Sequence, residues 1–470
     1  MSIDTARGIL GDATVAELQA GLRGTVVRPG DPDYDQARAV WNGAHDKHPA
    51  LVVRCAGTAD VLRAVEFARS QDLLVAVRGG AHSIAGFSTC DDGIVIDLSA
   101  MKGAVVRPRQ RQVVAQAGMT WGDLDHETQA FGLATTGGLV SSTGISGFTL
   151  GGGVGWLLRR HGLASDNLTA AEVVTADGRV VRADPEEHSE LFWALRGGGG
   201  NFGVVTSLEY QLHPVGPQVL AGLIVYPLAQ ARQVITGWRE LIADAPDELT
   251  TLINLTTAPP LPFLPPEVHG TRIVVLAGMY AGDPASGETA VAPLRTLGTP
   301  IADLMGPMPY TGMQSLLDPL WTPGAHNYFT SAFIEPTDAA LDAVLQGHTT
   351  TPTPFSELHM HQLGGAFARV PAEATAFSQR DPSVLVNVIA RSPAAADFDA
   401  HVAWARQTRD EIAAHGQGTM YVNFTGDASE DRVRASYPGA VHERLVRVKD
   451  AYDPTNLFRL NQNIRPSSKV

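Results

Sequence analysis

The chain has 470 residues, 44% of them hydrophobic and 18% charged, with a formal net charge of −14. This is an ordinary globular composition, long enough for two to four domains and for a core that encloses a cofactor. The basic residues form no stripe and no apolar run approaches about 18 residues, so neither a nucleic-acid partner nor a membrane-spanning helix is expected.

Residues 1–7 lack the basic and apolar regions of a signal peptide, and a cytoplasmic location is expected. Cys55 and Cys90 are the only cysteines, too few for a disulfide framework and wrongly spaced for a metal site. No metal is expected. The first 45 residues offer a helix near 14–24 and a turn-rich stretch, a lead-in to the main fold. A strand at 51–54, a helix at 58–69 with Thr58 as N-cap, and a strand at 74–77 then make a βαβ-like unit. It stops at Gly79-Gly80, where a backbone can turn sharply, bring N–H groups near an anion and present the next side chain, His82. A neutral imidazole there can act as a nucleophile; a plain loop histidine is the bland alternative. Further strands are expected at 94–98 and 113–117, and Thr120 with Asp123 forms the signature of a helix start reaching Gln129.

A second glycine cluster fills residues 144–156. Glycine inside a helix or strand costs about 0.5–1 kcal/mol relative to alanine, so this density points either to a ligand against bare backbone or to a packing corner. Two β-rich runs around Asp177-Gly178 predict a hairpin. The third cluster holds Gly198, Gly200 and Gly203 in the spacing of the dinucleotide fingerprint, but it follows a helix and opens a strand. The Rossmann version does the reverse, and a nicotinamide domain of that kind is excluded.

After Pro217 the texture changes to longer helices and proline-rich loops. Within this part, alternation at 357–361 puts Glu357, His359 and His361 on one face of a strand, either in a cleft or on a solvent-facing edge. Three groups so nearly in line are poorly placed to ligate one ion. The tail predicts a strand at 420–424, a helix at about 438–450, and a polar end at Asn461, Gln462 and Asn463.

Four stretches in this order, RGGAHS at 78–83, the run from GISG at 144 to ASDNL at 168, LRGGGGNFGVVT at 195–206 and YDPTNLFRLNQNI at 452–464, carry a resemblance. The chain resembles the covalent-flavin oxidoreductases of the vanillyl-alcohol oxidase and p-cresol methylhydroxylase superfamily, in the berberine-bridge-enzyme-like branch. The resemblance implies an α+β fold: a bipartite PCMH-type FAD-binding domain at 1–217 and 418–470, with an inserted α+β substrate domain at 218–417. It implies FAD bonded through its 8α-methyl carbon to His82. Many members add a cysteinyl bond four residues before the GISG-like run; Val140 stands there, so a single tether is expected, as in bacterial members, and a smaller substrate is favoured. The implied cofactor contacts are Arg78, Gly79, Gly80, Ala81, Ser83, Thr143, Gly144, Ser146, Gly147, Gly151, Gly152, Gly153, Val204, Val205, Tyr421, Asn423, Asn461 and Gln462. The implied chemistry is hydride removal from a C–H beside oxygen or nitrogen of a small molecule, with dioxygen reduced to hydrogen peroxide. A dehydrogenase with another acceptor and a non-catalytic flavin protein are the alternatives. Candidate bases are Tyr421 first, then Glu357, His359 and His361, then Tyr328. Substrate identity and oligomeric state have no signal in the sequence.

Overall fold

A computed structural model of the protein describes residues 10–427, 429–437 and 439–469. The signal-peptide reading of residues 1–7 lies outside the described residues.

Three sheets of four or more strands organise the chain. The first has the order Thr25–Val27, Leu51–Arg54, Ile94–Asp97, Val75–Arg78, with its last three strands parallel. Helix Thr58–Ser70 forms the crossover between two of them. Its cap is Gly57, not Thr58; the Thr58 hydroxyl instead donates to Glu172 Oε1 at 2.8 Å. The carboxylate of Asp60, in the first helical turn, accepts from the backbone N–H groups of Arg23, Gly24 and Ala56 and so ties down the lead-in segment.

The second sheet is antiparallel, in the order Ala104–Arg107, Gln112–Gln116, Val204–Gln211, Leu168–Val174, Val180–Ala183. The Asp177-Gly178 hairpin joins its last two strands. Helix Trp121–Gln129 opens with the reciprocal Thr120 and Asp123 capping box. A continuous apolar core joins these two sheets, the helices on them, and Leu445, Val448, Phe458 and Ile464 of the tail.

The third sheet has eight strands, all antiparallel. Seven run in the order Ala302–Asp303, Gln218–Pro227, Arg272–Tyr280, Leu249–Thr257, Glu357–Gln362, Val384–Ser392, His326–Ile334, and Gly306–Pro309 pairs with Gln218–Pro227 alone. Glu357–Gln362 is therefore a central strand, which removes the solvent-edge reading. One face of the sheet packs against helices Ala231–Ala243, Asp338–Thr349 and Phe398–Ala413 through Leu358, Met360, Val386, Val388 and Ala390. Alternation then turns His359, His361, Asn387 and Ile389 toward the other face.

Buried polar contacts fasten this sheet to the rest. Arg380 grips Asp166 with two N–H donors, both at 2.8 Å, and Arg159 donates to the carbonyls of Ala245, Leu249 and Leu363. The predicted strand at 420–424 is instead a 3-10 turn, Val422–Phe424. No sheet edge takes it up; Tyr421 N–H donates to the Ser331 hydroxyl, and its side chain reaches the second glycine cluster.

Candidate active site

A cavity of about 350 Å³ lies between the glycine clusters and the free face of the large sheet. That volume falls in the range of small-molecule and cofactor sites. Two walls enclose it, one made of loops and one of sheet.

The loop wall is built where strand Val75–Arg78 ends. A β-carbon on Gly80 would sit 2.3 Å from Gly144 N, and one on Gly144 equally close to Gly80 N. Only a glycine pair lets these two backbones meet. Ala81 then takes φ +60, in the left-handed region, which costs an L-residue about 1–3 kcal/mol. His82 follows, lining the cavity with its ring stacked on Trp41, centroids 4.8 Å apart. Its Nε2 lies 2.9 Å from Ser142 Oγ. Burial pushes its pKa down to about 4, so the imidazole is neutral at pH 7. Val140 lines the same cavity.

The other glycines divide by what a side chain would meet. On Gly147 and Gly200, both on the cavity wall, a β-carbon would meet nothing within 4 Å. There the bare backbone leaves room for a ligand. On Gly152 and Gly153, which do not line the cavity, it would strike Phe377 at 2.8 Å and Ala164 at 2.5 Å. These two serve the packing corner that was the competing reading of the cluster.

The sheet wall carries His359, His361, Asn387, Ile389 and Phe329. Trp41, Trp321, Phe329, Ile84 and Ile389 form an apolar cluster around it. Glu357 lies behind His359, its Oε1 3.2 Å from His359 Nε2, and its Oε2 accepts from Asn254 Nδ2 at 2.8 Å. Burial alone would raise the Glu357 pKa; the His359 ring and the Asn254 amide outweigh it and hold the carboxyl below its ordinary value. Burial, with His359 beside it, pushes His361 well below the ordinary histidine range.

Of the residues expected from the sequence, Gly79, Gly80, Ala81, His82, Ser83, Thr143, Gly144, Ser146, Gly147, Gly151, Val205, Asn423, Asn461, Gln462, His359 and His361 line this cavity. Five expected residues, besides Gly152 and Gly153, lie off this lining. Tyr421 does not line it. Its hydroxyl accepts from Gly153 N–H and Asn423 Nδ2, both at 2.8 Å, behind the glycine loop. Tyr328 is on the opposite face of its strand, where Arg406 donates to its hydroxyl at 3.0 Å; the neighbouring Phe329 faces the cavity. Arg78 points away because Val75 and Val77 take the cavity side, and it pairs with buried Asp97. Val204 and Val205 both pack in the core, and alternation brings only Val205 to the cavity wall. Glu357 stands one shell back from the cavity, in contact with it only through His359.

Several lining residues were not anticipated: Trp41, Trp321, Phe329, Asn387, and Gly199, Gly200 and Gly203 of the third cluster. The glycines could have been found by applying to that cluster the bare-backbone argument used for the second. The aromatics had no local signal. Cys55 and Cys90 are buried and free, and no cluster of three metal-binding side chains exists among the described residues. Nor, among those residues, is any helix long and apolar enough to cross a membrane.

The cavity fits FAD on its own terms. Backbone is left bare at Gly147 and Gly200, and buried Asn461 Oδ1 and Gln462 Oε1, on wall residues, have no partner in the protein among the described residues. Comparison with known proteins agrees. A family model described as an FAD binding domain matches residues 49–184, and one described as berberine and berberine like matches 420–465. An FAD-linked oxidoreductase of Dictyostelium discoideum is 33% identical over 96% of this chain and 97% of its own length. The (R)-6-hydroxynicotine oxidase of Paenarthrobacter nicotinovorans is 30% identical over 95% of this chain and 97% of its own. The crystal structure of 6-hydroxy-D-nicotine oxidase from Arthrobacter nicotinovorans superposes with a TM-score of 0.85 at 29% identity, covering 95% of this chain and 98% of that one. A chitooligosaccharide oxidase shares the fold, with a TM-score of 0.82 at 23% identity over 96% of this chain and 99% of its own. With both family models and full-length relatives in agreement, the chain belongs to the FAD-linked oxidoreductases, in the PCMH-type FAD-binding family with a berberine-like C-terminal segment.

Proposed function

We propose that the protein is an oxidase that holds FAD by a single covalent bond, from His82, and takes hydride from a C–H bond next to oxygen or nitrogen of a small organic molecule. The observation that carries this reading is the sharing of one cavity by neutral His82 and the histidine pair His359 and His361. In this reading residues 1–217 and 418–470 hold the cofactor and 218–417 the substrate. When bound, FAD supplies a two-electron acceptor at N5 that dioxygen can reoxidise, with hydrogen peroxide as product.

The chain's own residues do the rest. The turn at Gly79 to Ala81 fixes the imidazole of His82 and the stack on Trp41 holds its plane, so this neutral ring is the group that would hold the flavin covalently. Val140 offers no thiol for a second bond. His359 takes the O–H or N–H proton of the substrate, and the carboxylate of Glu357 behind it stabilises the imidazolium that results. Trp41, Trp321 and Phe329 keep water from the reacting atoms. A relative named for (R)-6-hydroxynicotine supports a small substrate.

The test begins with acid precipitation of the purified protein and of His82→Ala. Yellow colour and flavin fluorescence are expected to stay with the wild-type polypeptide and to leave the variant. A peroxide assay over a panel of small alcohols and amines follows. Turnover with an artificial electron acceptor but none with dioxygen would identify a dehydrogenase and overturn the oxidase half of the proposal.

A further inference from the structure

A second, much smaller chamber lies behind His361. Its volume is about 10 Å³, close to what one water needs, and Trp156, Thr250, His361 and Gln362 line it together with Thr251 and a few apolar neighbours. Each of those four residues has a buried polar atom without a partner in the protein: Trp156 Nε1, Thr250 Oγ1, His361 Nε2 and Gln362 Nε2. Leaving one such atom unsatisfied costs about 1–3 kcal/mol, and four around one space call for a common partner. The Gln362 amide is oriented by its other end, where Oε1 accepts from Thr251 N–H at 3.0 Å and from the Thr251 hydroxyl at 2.7 Å.

Taking the catalytic reading above as its basis, we propose that His359 and His361 work in opposite hydrogen-bonding roles. His359 accepts the proton of the substrate, and His361, fixed by one water bound in the chamber behind it, donates a hydrogen bond to a second group of the same substrate.

The assignment follows from counting donors. Trp156 Nε1–H and the Gln362 amino group can only donate, and together they fill both acceptor sites of a water. The two hydrogens of that water are then left for Thr250 Oγ1 and His361 Nε2. An Nε2 that accepts carries no hydrogen, so the neutral ring of His361 has its hydrogen on Nδ1. At His359 the logic is inverted. The Glu357 carboxylate stands 3.2 Å from His359 Nε2, out of line for a hydrogen bond, and would repel a lone pair there, so Nε2 carries the hydrogen and Nδ1 is the bare nitrogen. One strand face thus offers an acceptor and a donor on rings whose centroids are 5.8 Å apart, beside the aromatic wall of Trp321 and Phe329. The substrate class that fits is a flat molecule with an O–H or N–H to be deprotonated and, about one ring-width away, a hydrogen-bond acceptor such as a ring nitrogen or carbonyl oxygen. No proton leaves His361 in the reaction; the proton removed from the substrate resides on His359.

The test uses the holoenzyme and two probes of equal shape, phenol and 3-hydroxypyridine, titrated against the flavin absorption spectrum. 3-Hydroxypyridine is expected to bind about tenfold more tightly, the contribution of one additional hydrogen bond. That preference is expected to shrink to about threefold or less in Trp156→Phe, or in Thr250→Val should the first fail to fold, while phenol affinity holds. Nitrogen NMR of wild-type protein labelled with 15N-histidine, the His361 signal identified by its loss in His361→Gln, is expected to report Nε2 without hydrogen and Nδ1 with it. A hydrogen on His361 Nε2 overturns the proposal, as does equal affinity for the two probes in a protein that retains flavin and makes peroxide. Absence of flavin from the purified protein would instead strike the functional reading beneath it.

Discussion

The loop wall and the sheet wall of the cavity work by opposite means. The loop wall acts through what it omits: backbone is left bare at Gly147 and Gly200, and the space beside it stays open. The sheet wall acts through what it adds, a few polar side chains set in an aromatic surround. A bare backbone meets a ligand through groups common to all residues, whereas a side-chain pattern can be rewritten one residue at a time. The sheet wall is therefore the part of the cavity where a substitution most directly changes what is recognised.

The sharpest way to break this contrast is Gly147→Val. The position has ordinary helical φ and an empty side-chain direction, so the fold is expected to survive while the cavity fills. Flavin content of the purified protein is expected to fall to near zero with an unchanged circular dichroism spectrum. Retained flavin would mean that the cofactor lies elsewhere. On the other wall, His359→Gln is expected to keep its flavin and lose about 10²–10⁴ in kcat, the usual worth of a positioned base, read as the rate of flavin reduction in single turnover.

Lys449→Met probes what holds the loop wall together. Lys449 is fully buried, and its Nζ donates to Asp453 Oδ2 at 2.7 Å and to the carbonyls of Asn201 and Phe458. Removing one member of a buried pair strands the other charge, and urea unfolding is expected to register a loss of about 3–5 kcal/mol. The smallest effect belongs to Tyr421→Phe. Losing the hydroxyl leaves the Gly153 N–H without its acceptor and is expected to lower stability by about 1–3 kcal/mol, with turnover per bound flavin unaltered. A collapse of turnover there would return Tyr421 to the catalytic role that its position behind the glycine loop argues against.

Much of the loop wall was legible in the sequence because its signals are local. A strand stopping at two glycines, a capping box at Thr120 and a hairpin at Asp177-Gly178 are each complete within a dozen residues. The two kinds of glycine were not separable, since a residue reserved for a ligand and one crowded by Phe377 look alike until their neighbours are known. Strand faces failed for a related reason. His326–Ile334 is buried on both sides, with no polar alternation to tell Tyr328 from Phe329, and Val75–Arg78 leaves Arg78 equally ambiguous. Where alternation survives, at Glu357 to His361, the shared face was read correctly, although the recess of Glu357 behind His359 was not. Trp41 and Trp321 meet across 280 positions, their ring centroids 6.2 Å apart, and only the tertiary fold brings them there.

The Lys449 clamp also sets an order in time. Phe458, Leu460, Asn461 and Gln462 complete the cavity, and every other residue on its walls is synthesised before them. A nascent chain that has emerged as far as the large sheet has its histidines and most of its glycines, but no closed place for a flavin. The cavity is thus the last part of the molecule to be completed, after the tail has docked.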